Sequence, residues 1–244
     1  MSKPKNVAII VAAGIGQRMK SNMPKQFLAL ANQPILWYTL QPFIQCQDID
    51  TIFIVVPKLY IEKCENEIIK PLRKVHNLFE SDKLKMRCIC GGERRQDSVY
   101  AGLQAMGDFA DIVVIHDGVR PFVTPMQISQ IINIARKKNA VIFGIKPRDT
   151  VKRIDPNNYI KQSVDRDSLI LAQTPQAFSY ALIKKAHELA RHKGLRATDD
   201  AMLIELMGEK VHVAPGHPFN IKITTPEDLI FSKTILTEWP PDNQ

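Results

Sequence analysis

Val7-Ala8-Ile9-Ile10-Val11-Ala12, running straight into Ala13-Gly14-Ile15-Gly16-Gln17-Arg18-Met19, reads as a buried strand that ends in a glycine turn. An apolar run without alternation suits a strand covered on both faces. The turn is not a dinucleotide-binding fingerprint, because Met19 occupies the third glycine position of G-x-G-x-x-G. It is not a P-loop either, because no Gly-Lys-Ser/Thr follows. What remains is Ala12, Ala13 and Gly14, small residues that let backbone N–H groups approach a phosphate chain. Two cations stand nearby, Arg18 and, in Met23-Pro24-Lys25-Gln26, Lys25. A solvent-exposed basic loop is the competing reading.

Outward from this turn, apolar runs alternate with amphipathic stretches. A helix is expected over Pro34 to Cys46, opened by proline and disturbed at Pro42. Strands are expected at Thr51 to Val56, Lys85 to Cys90, Ile112 to His116 and Ala140 to Ile145. Helices fall between them at Leu59 to Ile69, Gln96 to Met106 and Pro125 to Lys138. This rhythm predicts an α/β fold, a mostly parallel sheet with helices on both faces. Ligands in such sheets sit beyond the carboxyl ends of the strands. The rhythm breaks over 146–177. There Thr150 to Ile154 and Tyr159 to Val164 flank Asp155-Pro156-Asn157-Asn158, a hairpin signature. The segment is polar and charged, so it is expected to project as an arm from a single domain spanning 1–244. Helices near Tyr180 to His192 and Thr198 to Met207 follow. Strands are expected at Val211 to Ala214 and Phe219 to Ile223, and a last helix opens at Thr225-Pro226-Glu227-Asp228.

The chain has 244 residues, 45% hydrophobic and 24% charged, ordinary values for a soluble globular protein. No stretch approaches the ~20 apolar residues of a membrane span. No targeting signal is visible, so a cytoplasmic location without membrane association is expected. The four cysteines form no C-x-x-C pair, which favours reduced thiols. Net charge is +8, and no acidic residue precedes Asp48. A basic segment around a glycine turn suits a polyanionic small molecule. Nucleic acid is the competing partner, opposed by the interleaved charges elsewhere and the lack of a helix-turn-helix or zinc-finger pattern.

Three further stretches carry chemistry. Gly91-Gly92-Glu93-Arg94-Arg95-Gln96-Asp97-Ser98 follows the third strand, and its backbone could hold a nucleobase; an ordinary strand-to-helix loop is the alternative. His116-Asp117-Gly118-Val119-Arg120-Pro121 closes the fourth strand, where a carboxylate is placed to hold Mg²⁺ between phosphates. In Asn220-Ile221-Lys222-Ile223-Thr224, read as a strand, Lys222 points to the polar face; an ordinary surface strand is the competing reading, and the one this stretch favours when taken alone.

These stretches, together with D-T-x-K-R, V-D-R, T-P-Q, T-D-D and N-I-K-x-T-x-P-E-D, resemble the 2-C-methyl-D-erythritol 4-phosphate cytidylyltransferases. The matches run in order from Ala12 to Asp228. The resemblance implies a Rossmann-like sheet, a protruding β-arm that builds a homodimer, and CTP and a sugar-alcohol phosphate as reactants with Mg²⁺. It implies that Arg18, Lys25 and Lys222 are catalytic and that Asp117 binds the metal. It puts Ala12, Ala13, Gly14, Gly92, Glu93, Ser98 and Gly118 around CTP. It puts Arg120, Thr150, Arg166, Thr174 and Thr198 around the second substrate, with Thr150 and Arg166 reaching the partner's pocket. Val11 and Gly118-Val119 depart from the common family pattern, and Gly118 is expected to add freedom near the ribose. Three rivals remain: a ribitol-5-phosphate cytidylyltransferase, with similar P-K-Q, H-D-x-x-R-P and N-I-K motifs, an NAD-dependent oxidoreductase, and a nucleic-acid-binding module.

Overall fold

The computed structural model describes residues 5–14, 23–78, 84–107 and 110–238. Its elements begin with β1 (Asn6–Val11), α1 (Ile35–Gln45) and β2 (Thr51–Val56). Next come α2 (Ile61–Cys64), continued through a π-turn (Glu65–Ile69) into α3 (Lys70–Val75), then β3 (Lys85–Cys90) and α4 (Arg95–Met106). After β4 (Ile112–Asp117), α5 (Pro125–Lys138) and β5 (Ala140–Ile145) stands a hairpin, β6 (Lys152–Ile154) and β7 (Ile160–Ser163). The chain closes with β8 (Leu171–Ser179), α6 (Tyr180–Lys193), α7 (Asp200–Glu205), β9 (His212–Pro215) and α8 (Pro226–Glu238).

Seven strands form one sheet in the order β9-β5-β8-β4-β1-β2-β3. Among the described strands of this sheet, only β8 runs antiparallel to its neighbours. Along β1 the period of two is plain. Ala8 and Ile10 pack with α1, α2, α3 and α5, while Val7 and Ile9 pack with α4, α6 and α7. A strand buried on both faces needs the continuous apolar run seen in its sequence.

The register fixes where a ligand can sit. Val11 pairs with both Val55 and Asp117, so β1, β2 and β4 end level. From β1 the chain builds outward through β2 and β3, then crosses back to place β4 on the other side. That reversal is a topological switch point, and its crevice opens beyond Val11 and Asp117.

Three expectations are corrected. The segment 146–177 is an arm only in its first part. The hairpin pairs with itself, Lys152 with Ser163 and Ile154 with Ile160, and its strands are exposed. From Leu171 onward the chain is instead a central strand, buried from Gln173 to Phe178. Its buried polar side chains are bonded inside. Gln173 Nε2 donates to the His217 carbonyl at 2.9 Å, and Gln176 Nε2 to Asp199 at 2.7 Å. The ladder shifts register between Gln173 and Gln176, which accommodates Pro175. Phe219 to Ile223 is not a strand. It is an irregular segment held by Ile223 N–H to the Val119 carbonyl at 2.9 Å and by Asn220 Nδ2 to the Thr174 carbonyl at 2.8 Å. Ile223 packs with Leu30, Ile35, Val119 and Phe122, against Leu229, Ile235 and Leu236 of α8. Helix α1 runs through Pro42 without a break.

Candidate active site

A cleft of about 560 Å³ opens at the switch point. Ala12, Ala13, Gly14, Lys25, Gly92, Glu93, Ser98, Asp117 and Lys222 all line it, from segments far apart in sequence. The loop after β1 is pinned by backbone and side chain. Ala12 N–H donates to the Val55 carbonyl at 2.8 Å, and its own carbonyl accepts from the buried Gln26 side chain. The double-glycine loop is held by Ser98, whose Oγ accepts from Gly92 N–H at 3.2 Å and donates to the Arg94 carbonyl at 3.1 Å. A Cβ on Gly91 would lie 2.4 Å from the Cβ of Ala13, so only glycine lets the two loops touch.

Asp117 is the electrostatic centre. Arg95 Nε donates to its Oδ1 at 3.0 Å, and Lys222 Nζ lies 2.8 Å from its Oδ2. Arg120 Nε stands 3.6 Å from the same Oδ2. Burial pushes the Asp117 carboxyl up, but Arg95, Lys222 and Arg120 outweigh it and hold the group well below the usual carboxylate range. The group is therefore an anion at neutral pH inside a shell of three cations. Such a shell has positive charge to spare for a phosphate chain.

Behind Asp117 is a neutral relay. Burial lowers the His116 imidazole to about 4. A neutral ring carries one N–H, and a carbonyl can only accept. Nε2 therefore donates to the Arg120 carbonyl at 2.9 Å, and Nδ1 accepts from the Thr174 hydroxyl at 3.1 Å. Thr174 Oγ1 accepts from Asp117 N–H at 3.1 Å in turn.

The chain matches the family described as 2-C-methyl-D-erythritol 4-phosphate cytidylyltransferase over residues 6–238. A protein of that name from Clostridium botulinum is 43% identical over 231 residues, covering 94% of this chain and 98% of its own. One from Desulforamulus reducens is 42% identical, covering 94% and 95%. Among solved structures, 4-diphosphocytidyl-2C-methyl-D-erythritol synthase from Anaerococcus prevotii superposes with a TM-score of 0.80 at 33% identity, over 96% of each chain. This chain belongs to the 2-C-methyl-D-erythritol 4-phosphate cytidylyltransferase family.

With the family shown, the remaining expected residues sort by place. Arg18 lies outside the described residues. Arg120 turns inward, its Nη1 donating to the Asn220 carbonyl at 2.7 Å, and so ties the Lys222 segment to β4. Thr174 is buried in the relay. Thr198 is exposed before α7, and Thr150 and Arg166 are exposed on the arm. Arg166 Nη1 donates to the Arg148 carbonyl at 2.8 Å. Gly118 does not line the cleft. It lies under Ala12, where an added Cβ would come within 2.8 Å of the Ala12 Cβ. That close packing leaves no room for a side chain at this turn. Sequence reasoning missed Gln26, Arg95 and Asp200. All three stood in the quoted P-K-Q, G-G-E-R-R and T-D-D stretches, but nothing in their spacing showed that Gln26 and Arg95 would line the cleft or that Asp200 would hold Arg95 from behind it.

Proposed function

We propose that this chain transfers the cytidylyl group of CTP to 2-C-methyl-D-erythritol 4-phosphate, giving 4-diphosphocytidyl-2-C-methyl-D-erythritol and pyrophosphate. The family match and the named relatives support this pair of substrates over ribitol 5-phosphate. The observation that carries the chemistry is the convergence of Arg95, Arg120 and Lys222 on Asp117, with Lys25 lining the same cleft.

Both reactants are anions, so their repulsion is the barrier to meeting. An oxygen of the acceptor phosphate attacks the α-phosphorus of CTP and a new P–O bond forms. The bond from the α-phosphorus to the bridging oxygen breaks, and its electron pair leaves with pyrophosphate. An ionised phosphate needs no general base. Lys25 and Lys222 neutralise the approaching charges and hold them in line. Arg18 is assigned the same duty on the CTP phosphates. The two loops Ala12–Gly14 and Gly91–Glu93 offer backbone groups to the nucleotide.

The donor set also bears on Mg²⁺. Two carboxylates line the cleft, Asp117 and the exposed Glu93, and no group of three or more His, Cys, Asp or Glu gathers as a metal cage among the described residues. One carboxylate amid cations suits a Mg²⁺ carried in by triphosphate oxygens rather than a bare ion. Asp117 would hold that ion, which supplies further charge neutralisation on the phosphates.

The arm is read as a dimer element. A two-stranded hairpin is marginal on its own, and this one exposes Ile154, Tyr159 and Ile160. A partner's cleft would receive Thr150 and Arg166. No described helix is long and apolar enough to cross a membrane, and the four cysteines are free thiols, which supports a cytoplasmic site of action.

The test is pyrophosphate release with each nucleoside triphosphate against each acceptor. Release is expected only with CTP and methylerythritol phosphate together. A clear preference for ribitol 5-phosphate would overturn the acceptor and leave the reaction class standing.

A further inference from the structure

We propose that Asp200 is a positioning residue for the transfer reaction, setting the plane of Arg95 and through it the Asp117 carboxylate; this rests on the function proposed above. Asp200 follows Asp199 at the start of α7, and the two adjacent acids do different work. Asp199 caps the helix, accepting from Met202 N–H at 3.0 Å, and holds Gln176. Asp200 points inward and is only 1% exposed.

Both of its oxygens are engaged. Oδ2 accepts from Arg95 Nη1 at 2.7 Å, and Oδ1 accepts from His187 Nε2 at 2.9 Å. His187 comes from α6 and is itself fully buried. The line His187–Asp200–Arg95–Asp117 thus joins α6, α7, α4 and the end of β4. It runs from the helical layer to the cleft.

The geometry explains why Arg95 needs two carboxylates. A guanidinium is a rigid planar fork. Held by Asp117 at Nε alone, it could pivot. Held also by Asp200 at Nη1, its plane and its distance from Asp117 are fixed. Burial would push the Asp200 carboxyl up, yet Arg95 and then His187 hold it below its ordinary range, so the clamp is ionic at neutral pH. Stability is a poor explanation for such a device, since buried ion pairs often add little over an apolar replacement. Position is the better one. Asp117 divides two oxygens among Arg95, Arg120 and Lys222. If Arg95 shifts onto Asp117, Lys222 is displaced, and Lys222 is a group the reaction needs in line.

The test compares wild type, Asp200→Asn, Arg95→Lys and the double variant by kcat and KM, per folded protein and well below each melting temperature. Asp200→Asn is expected to lower kcat by roughly 10- to 100-fold, the scale of a small misplacement of reacting groups. KM for CTP should stay within about threefold, since the residue touches neither substrate. The double variant should be no slower than Arg95→Lys alone, because Asp200 acts through Arg95. If Asp200→Asn does not fold, His187→Gln perturbs the same carboxylate from behind, and kcat is expected to fall roughly 3- to 10-fold with KM unchanged. Wild-type kcat in the variant that folds, or multiplicative losses in the double variant, overturns the inference. A wild-type protein that releases no pyrophosphate would count against the proposed function instead.

Discussion

At Asp117 one negative charge organises three positive ones, and the sign of its perturbation makes a prediction about acid. Burial opposes its ionisation, while Arg95, Lys222 and Arg120 favour it more strongly, so its folded value is depressed. A group of this kind stabilises the fold fully above the ordinary carboxylate value, about 4. That stabilisation fades as pH falls from there towards the folded value. Asp117→Asn leaves three cations around a neutral amide, at an expected cost of about 3 to 5 kcal/mol near pH 7. Below pH ~4 the wild type should lose about 1.4 kcal/mol per pH unit that the variant has already lost, and the gap between them should close. Urea unfolding of both proteins near pH 7 and near pH ~3 measures this; a gap as wide in acid as at neutrality means that shape, not charge, was lost. The place of Asp117 in the cleft was legible from its position at a strand end. That of Arg95 was not, because nothing in Arg94-Arg95 tells which arginine turns outward. The structure answers it through capping. Both line the cleft, but Arg94 Nε donates to Asp97 in the first turn of α4 at 2.8 Å, while Arg95 Nε reaches Asp117 at 3.0 Å.

Elements that bury apolar runs were legible in the sequence, because periodicity reports burial directly. Thr51–Val56, Lys85–Cys90 and Ala140–Ile145 fall where the pattern puts them. The failures came where polar residues are buried by pairing. In β8, Gln173, Thr174 and Gln176 disguise a core strand as a surface segment, since their partners on β4, β9's flank and α7 are remote in sequence. Conversely, the alternation in Phe219–Ile223 mimicked a strand, although its backbone bonds go to a turn and to Val119 rather than to a ladder. The β4 turn offers a test of how tightly elements meet. The Gly118 N–H donates to the Val11 carbonyl at 2.8 Å, and an alanine Cβ would press on that carbonyl at 3.1 Å as well as on Ala12. Gly118→Ala is therefore expected to destabilise by about 1 to 3 kcal/mol, the usual scale of overpacking. By pushing the Ala12–Gly14 loop out of place, it should also raise KM for CTP. An unchanged melting temperature would show that β1 and β4 can part freely at their ends.

At the scale of the whole molecule, the arm is the part that its own chain does not explain. Strands β6 and β7 pair with each other and with no strand of the main sheet, and they leave Ile154, Tyr159 and Ile160 exposed. They carry no core, yet the resemblance implies a phosphate pocket for Thr150 and Arg166. A second copy would resolve this, because a two-fold pair would offer each arm the other's cleft and build both sites alike. The expectation is then that Arg166 of one chain completes the site holding Lys25 of the other. Lys25→Ala and Arg166→Ala chains should each be inactive alone. In a mixed dimer one site takes intact Lys25 from one chain and intact Arg166 from the other, while the second site carries both lesions. If random exchange makes half of the dimers mixed, roughly a quarter of all sites are whole. Activity should rise towards that fraction when the two variants are refolded together. If both residues served their own chain's site, no mixed dimer would contain a whole one. Exchange demonstrated by mass, with no recovery of pyrophosphate release, would therefore refute the crossed arm and assign Arg166 to its own subunit or to no site.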